Sequence, residues 1–400
     1  MSTKPVKVAM IGVGAISGIY LQNITHTFHA IELRGVCDLI PERAEKGMAY
    51  VDEAIAAGAA VVSPIIYKDM YEAFNDPEVE VILNLTRPYE HYEVTKQALL
   101  HGKHVYSEKP LAVDMEEAAE LVALAEEKSL RLGGAPDTFM GAGVQTARKL
   151  IDDGYIGDIV GATCAMVCHG HETWHPDPEF YYKRGGGPML DMGPYYITAL
   201  VQLLGEAKAV SGMTRKTFEK RVITSKPHNG EIIDVDVDTH LAGSILFSSG
   251  AIVQILTTFD VHYTGMARFE VYGTKGTLIV PDPNTFGGPV LLLRPEDIAA
   301  ATSDPGLDRK DVPDFYRGYR QMPLMFDYSE NSRALGLADM CTALRSGRDH
   351  RANYQQQRHV LEIMTSFSKA CAAGKTLELT TRYERTAAMQ PNVLHGVLED

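Results

Sequence analysis

Val6-Lys7-Val8-Ala9-Met10-Ile11-Gly12-Val13-Gly14-Ala15-Ile16-Ser17-Gly18 is the stretch whose reading decides the fold. A short, mostly apolar run reads as a buried strand of a parallel sheet. A glycine-rich turn and then a helix follow it. Gly12 permits the tight turn, and Gly14 lets backbone amides approach a pyrophosphate on the N-terminus of the helix. Ser17 stands where a third glycine usually sits and is small enough for close helix packing. A glycine cluster alone is weak, because any tight turn collects glycines. Here Asp38 ends the next strand, 24 residues after Gly14. A carboxylate there accepts hydrogen bonds from a ribose diol and repels a 2′-phosphate. The plainer alternative is a turn and a solvated aspartate.

Outward from this turn the pattern repeats. Val6–Ile11, Ile31–Cys37, Val79–Thr86, His104–Ser107 and Leu130–Gly133 read as strands, with a short one near Ile65 and Ile66. Amphipathic segments at Pro41–Ala57, Tyr89–His101 and Met115–Lys128 separate them. Such alternation predicts βαβ units and a doubly wound parallel sheet over residues 1–134. A second domain is expected over 135–400, where alternating strands dominate from Asp234 to Val280. Residues 281–330 are rich in Pro, Gly and Asp and read as irregular excursions. Helices are expected around Ser332–Arg345 and Tyr354–Ala373, the latter with Val360, Ile363, Met364, Phe367 and Ala370 at core spacing.

Composition narrows the function classes. The chain has 400 residues, 38 Lys and Arg against 52 Asp and Glu, and a net charge of −14. With no basic run, nucleic acid and anionic membranes are poor partners. The uncharged stretch Thr239–Phe259 is long enough to suggest a membrane span, but His240 and Ser248-Ser249-Gly250 interrupt it, so it reads as two strands and a turn. The N-terminus leads into a strand with no signal-peptide core, and the five scattered cysteines suit reduced thiols. A cytoplasmic location is expected.

Two loops carry the chemistry. Thr86-Arg87-Pro88-Tyr89-Glu90-His91 follows the fourth strand, and Ser107-Glu108-Lys109-Pro110 follows the fifth. Both lie at carboxyl ends of parallel strands, where open α/β sheets bind ligands. Further along comes Gly185-Gly186-Gly187-Pro188-Met189-Leu190-Asp191-Met192-Gly193-Pro194-Tyr195. Together with the Gly12/Gly14 turn, Asp38 and Gly102-Lys103-His104-Val105, these elements resemble the glucose-fructose oxidoreductase/inositol dehydrogenase/rhizopine-catabolism (Gfo/Idh/MocA) oxidoreductases. The likeness covers most of the chain.

That resemblance implies an α/β architecture: an N-terminal Rossmann domain, then an α+β domain with a large, mostly antiparallel open sheet. The sheet would make homodimer or homotetramer contacts. It implies NAD as cofactor, held by Gly12, Gly14, Ala15, Ile16, Asp38, Thr86, Pro88, His91, Glu108, Lys109 and Pro136. The segment after Leu132, Gly134-Ala135-Pro136-Asp137-Thr138, would border the nicotinamide, or serve only as an interdomain linker. No Arg or Ser stands at the usual phosphate-gripping places after Asp38, although Arg43 is near, so NAD is preferred to NADP. Lys109 would sit beside the reacting hydroxyl, and Asp191 would reach the substrate or cap the following helix. The family usually shows Asp-x-Gly-x-His, and this chain has Tyr195 in place of the His. Which group is the acid/base is therefore open.

Oxidising a secondary alcohol removes a hydride and the hydroxyl proton, and the proton needs a group in hydrogen-bond reach. Tyr and Lys titrate near roughly 10 and act only when a neighbouring charge or burial tunes them. Lys109 and Tyr195 are expected to work as a coupled pair, with Lys109 lowering the tyrosine pKa and bonding the same hydroxyl. His169-Gly170-His171-Glu172-Thr173-Trp174-His175 could suggest a metal, but it lacks a strong zinc spacing, and no metal is expected. It reads instead as a substrate-facing loop, with Trp174 stacking on a sugar ring. His171, His175, Tyr182, Lys183, Asp191 and Tyr195 would supply polar contacts. The expected function is oxidation of a secondary hydroxyl of a sugar, sugar derivative or cyclitol with NAD. The alternative is glycoside cleavage through transient oxidation by tightly held NAD.

Overall fold

The computed structural model describes residues 4–59, 61–297, 318–391 and 394–399. The expected Rossmann sheet is present. Strands β1 (Val6–Ile11), β2 (Ile31–Cys37), β3 (Ile65–Ile66), β4 (Val81–Asn84), β5 (His104–Ser107) and β6 (Leu132–Gly134) are joined through α1 (Ser17–His26), α2 (Pro41–Ala56), α3 (Met70–Asn75), α4 (His91–Leu100) and α5 (Met115–Glu127). All pairings are parallel, in the order β3-β2-β1-β4-β5-β6. The order reverses between β1 and β4. That leaves a crevice at their carboxyl ends, where the Gly12 turn and the Thr86 loop lie side by side. Gly12 has φ +93°, and a Cβ there would lie 2.7 Å from the Leu85 carbonyl oxygen. Only glycine satisfies both demands.

Past β6 the chain crosses through α6 (Ala142–Asp152), β7 (Ile159–Val167), α7 (Gly187–Asp191) and α8 (Gly193–Leu204). Strands β8 (Ala207–Arg215), β9 (Lys220–Val222), β10 (Ile232–Asp234), β11 (His240–Phe247), β12 (Ile252–Thr258), β13 (Phe269–Gly273), β14 (Gly276–Ile279), β15 (Val290–Leu293) and β16 (Arg320–Met322) follow. The chain closes with α9 (Leu335–Ser346), α10 (Tyr354–Ala373) and β17 (Leu377–Glu378). Nine strands make one sheet, ordered β16-β15-β14-β13-β7-β12-β11-β8-β17. Every pairing in it is antiparallel except β7 with β12. One face packs under α8 and α10. On the other, Met213, Leu246 and Ile252 stand exposed.

One expectation is corrected in detail. The uncharged stretch is the β11–β12 hairpin, as read. Within 281–330, however, β15 and β16 join the sheet; residues 298–317 lie outside the described residues. Helix α9 falls in the part assigned to the second domain, yet it packs on β2 and β6 of the first sheet. Its Arg345 pairs with Glu80 at 2.7 Å and bonds the Lys4 and Pro5 carbonyls. No helix among the described residues is long and apolar enough to cross a membrane.

Candidate active site

At the carboxyl end of β1, one amide of the glycine turn is tied to the carboxylate of Asp38. Asp38 accepts from Val13 N at 2.6 Å and from Ile40 N at 2.8 Å, which fixes it at the end of β2. Beside it, a Cβ built on Gly14 would meet nothing within 4 Å, so the turn is open on that side. An open glycine face, a helix N-terminus and a fixed carboxylate together fit the pyrophosphate and ribose of a dinucleotide. Ser17 donates to the Gly14 carbonyl at 2.7 Å and closes the turn onto α1.

Glu108 and Lys109 leave β5 in opposite directions. Glu108 is buried and accepts from the Tyr20 hydroxyl of α1 at 2.8 Å. Lys109 points to the second domain, where its Nζ donates to the Asp191 carbonyl at 2.6 Å and to Asp191 Oδ1 at 2.7 Å. Burial alone would lower the lysine pKa, but Asp191, with Tyr195 and Glu108, outweighs it and raises the value. Burial likewise pushes Asp191 up, and the charge of Lys109 with the His171 bond overcomes it, bringing the carboxyl down to about 2. Lys109 is thus held as an ammonium. Two of its three donors go to Asp191, and one is left for another ligand.

Asp191 does not cap a helix. It is the last residue of α7, and Met192 holds the cap position of α8 without a side-chain bond. Its other oxygen, Oδ2, lies 3.2 Å from His171 Nε2. Trp174 Nε1 donates to His171 Nδ1 at 3.2 Å, which assigns the ring proton to Nε2 and the donor role toward Asp191. Tyr195 is 8% exposed, and Lys109 Nζ lies 5.2 Å from its ring centroid, over the face rather than at the hydroxyl. Arg333 is the second cation whose charge acts on it. Burial raises the Tyr195 pKa, and the opposing charges of Lys109 and Arg333 do not reverse the shift. The expected net lowering of that pKa is therefore not seen, although Lys109 does act in that direction.

Other expected contacts find different partners. His91 is 1% exposed and lies between the Pro110 carbonyl (2.8 Å) and the Thr86 carbonyl (3.0 Å). It staples the β4 and β5 loops from behind, out of a cofactor's reach. Burial keeps its pKa low, and a neutral ring donates to only one of those carbonyls. Tyr182 is fully buried and donates to Glu172, so it cannot reach a substrate. Lys183 pairs with Asp236 at 3.0 Å, and Arg184 with Asp114 and Glu117, which spends the basic pair on ion pairs. Trp174 is exposed, and His175 accepts from Asp177 N at 3.0 Å. Thr86 donates to Asn84 Oδ1 at 2.6 Å, Ala15 is exposed, Ile16 and Pro88 are partly exposed, and Pro136 is buried. The side chains of 169–175 diverge: Glu172 goes to Arg221, and His169 stacks on His262 with centroids 3.5 Å apart.

Four groups were beyond sequence reasoning. Tyr20 and Arg333 carry no motif. Arg221 and Asp260 form a buried network with Glu172, in which Arg221 Nη1 lies 2.9 Å from Glu172 Oε1 while Nη2 bonds the Asp260 carboxylate and the Phe259 carbonyl. A buried Arg shared by two acids leaves no local sequence signal.

A Rossmann domain with a fixed acid after β2, joined to a mostly antiparallel open sheet whose flanking helices α7 and α8 supply Asp191 and Tyr195, is the architecture of a dinucleotide-dependent oxidoreductase. Residues 6–134 match the oxidoreductase family with an NAD-binding Rossmann fold, and residues 144–279 match the GFO/IDH/MocA C-terminal domain. The chain belongs to the GFO/IDH/MocA family. It is 31% identical over 153 residues to inositol 2-dehydrogenase/D-chiro-inositol 3-dehydrogenase of Lactiplantibacillus plantarum, a match covering 38% of this chain and 41% of that protein. It is 30% identical over 252 residues to 1,5-anhydro-D-fructose reductase of Ensifer adhaerens, covering 61% and 67%. Among solved structures, levoglucosan dehydrogenase in complex with NADH and levoglucosan superposes with a TM-score of 0.74 over 94% of this chain and all of that one, at 19% identity. At that identity the likeness is one of fold.

Proposed function

We propose that the protein is an NAD(H)-dependent dehydrogenase acting on a secondary hydroxyl of a sugar, sugar derivative or cyclitol. Its relatives are named for inositol, anhydrofructose, xylose and levoglucosan, all ring or sugar polyols, which favours oxidoreduction over glycoside cleavage. The observation that carries the reading is the Lys109 ammonium, fixed by Asp191 at the end of β5 with Tyr195 beneath it. NAD, when bound along the Gly12–Gly14 turn and Asp38, supplies the hydride acceptor or donor.

The chain's own groups handle the proton and the orientation. The free Lys109 donor binds the reacting oxygen and stabilises the negative charge that develops on it. Tyr195 exchanges the proton, so the two act as a pair on one substrate oxygen while Lys109 keeps its charge. His171 holds Asp191, and through it Lys109. The fixed carboxylate of Asp38 favours NAD over NADP. Self-association through the open sheet face belongs to the same proposal, supported by exposed Met213, Leu246 and Ile252.

The test is a panel of sugars, glycosides and inositols with NAD⁺, following NADH and the product. Lys109→Met and Tyr195→Phe should each lower turnover of the accepted substrate by about a hundredfold or more. Near-normal turnover in Lys109→Met would end the assignment.

A further inference from the structure

A line of hydrogen bonds runs outward from the Lys109 ammonium. Its Nζ lies 2.7 Å from Asp191 Oδ1, Asp191 Oδ2 lies 3.2 Å from His171 Nε2, and Trp174 Nε1 donates to His171 Nδ1 at 3.2 Å. Lys109, Asp191 and His171 are sheltered, with side chains no more than 15% exposed. Trp174, the single tryptophan of the chain, is 59% exposed. The line starts inside the site and ends at its mouth.

Trp174 is exposed and yet fixed. Its nitrogen is tied to His171, and its ring meets His171 and His175 at centroid separations of 5.4 and 5.3 Å, both close to perpendicular. His175 in turn packs edge-on against Phe180 at 5.4 Å and Tyr181 at 5.2 Å. An indole held in this way offers a large apolar area to a ligand at little cost in conformational freedom. Polar groups border it. Asp177 N donates to His175 Nδ1 at 3.0 Å, the Asp177 carboxylate pairs with Arg87 of the loop after β4, and the Arg87 guanidinium lies 6.0 Å from the Phe180 ring centroid. An aromatic face beside a carboxylate, a guanidinium and an imidazole suits a sugar ring, whose C–H face is apolar and whose rim carries hydroxyls. A purely aromatic or aliphatic ligand would leave those groups unused.

The ring that reacts is not the ring that covers Trp174. A hydroxyl bound to Lys109 sets its ring against Lys109 and Tyr195, and the Asp191 carboxylate and the whole His171 imidazole separate that place from the indole. We propose that Trp174, bordered by His175 and the Arg87–Asp177 pair, is a subsite for a second sugar ring, so that the substrate is a disaccharide or larger glycoside. This rests on the reading of Lys109 as the group that binds the reacting hydroxyl. The inner ring gives up its hydride to NAD⁺ and its hydroxyl proton to the chain. The outer ring takes no part in the chemistry, and the glycosidic bond stays intact. Held equally before and during hydride transfer, the outer ring contributes uniform binding, which lowers KM and leaves kcat unchanged.

The experiment compares glucose, xylose and myo-inositol with cellobiose, maltose and xylobiose as substrates of the full chain with NAD⁺. It also follows the emission of Trp174, which no other tryptophan obscures. At least one disaccharide should show a KM about tenfold or more below that of its monosaccharide at similar kcat, and should shift the emission to the blue as water leaves the indole. Trp174→Ala should raise that KM by about tenfold while monosaccharide KM values stay within about twofold. Trp174→Phe keeps an aromatic face but loses the bond to His171, and should retain most of the disaccharide preference. Equal losses on monosaccharide and disaccharide in Trp174→Ala would show that Trp174 acts through His171 alone and overturn the subsite. A panel in which monosaccharides are oxidised, while no disaccharide is favoured or moves the emission, would overturn it too and leave the dehydrogenase reading standing. Phenyl β-glucoside favoured as strongly as cellobiose would overturn the assignment to a sugar. If the wild-type chain oxidises no sugar, the reading of Lys109 falls; a disaccharide-induced emission shift in Lys109→Met, beside wild-type oxidation, upholds the subsite independently of turnover.

Discussion

Replacing Asp191 with Asn tests the electrostatics of the site more directly than any kinetic variant. The two side chains of the Lys109–Asp191 pair are 15% and 14% exposed, with Nζ 2.7 Å from Oδ1. The Asp191 carboxyl sits at about 2 against an ordinary 3.8. At ~1.36 kcal/mol per pH unit, that gap is worth about 2.4 kcal/mol of stability. A depressed carboxyl contributes fully above its unfolded value and loses the contribution as pH falls through its folded one. The difference between wild type and Asp191→Asn should thus be full at pH 7, fall to roughly half near pH 3, and vanish below about 2. Leaving Lys109 buried and unpaired adds a further cost, up to the ~3–5 kcal/mol seen when one partner of a buried pair is removed. The assay is urea unfolding of both proteins at pH 7, 5, 4 and 3. All other carboxylates are common to both and cancel. A stability difference that stays constant across that range would refute the pairing argument, whatever its size.

Three other outcomes follow from the geometry. Burial holds the Tyr195 pKa above its ordinary value, so alcohol oxidation should rise with pH through the neutral range while carbonyl reduction stays flat; stopped-flow rates between pH 6 and 9 check this, and a reduction rate that falls across pH 6–8 contradicts it. Asp38→Ser should improve NADPH relative to NADH by about tenfold or more in kcat/KM, since a like charge beside the 2′-phosphate is removed; an unchanged ratio rules out that role for Asp38. Arg221→Leu should cost about 3–5 kcal/mol, because Glu172 and Asp260 would remain buried without their shared cation, and a loss under about 1 kcal/mol in thermal unfolding would show that the network is idle.

Legibility in the sequence followed how local the cause is. Strands β1, β2 and β5 and helix α10 end where apolar period and turn residues place them, because those signals lie within a few neighbours. The Gly12 turn and Asp38 were legible for the same reason. Strands β15 and β16 were not: each is only a few residues long, and their pairing partners rather than their composition make them strands. The site divides the same way. Lys109 and Asp191 were singled out by their places after strands and glycines, and the structure brings them into contact. His91 and Tyr182 prove to be buried; a residue type in a ligand-facing loop does not say which way its side chain turns. His91 turns inward to two carbonyls, and Tyr182 turns under the loop to Glu172.

What the sequence could not convey is that each group of the site is held by another segment. Glu108 after β5 is held by Tyr20 of α1, Lys109 by Asp191 of α7, and Asp191 by His171 of the loop after β7. One of these links, Lys109–Asp191, pairs two charged groups that are each costly to bury alone. The arrangement is therefore stable only when the crossing segment and the 169–175 loop are docked together. Within a chain whose net charge is −14, Lys109 keeps its positive charge inside because Asp191 sits against it.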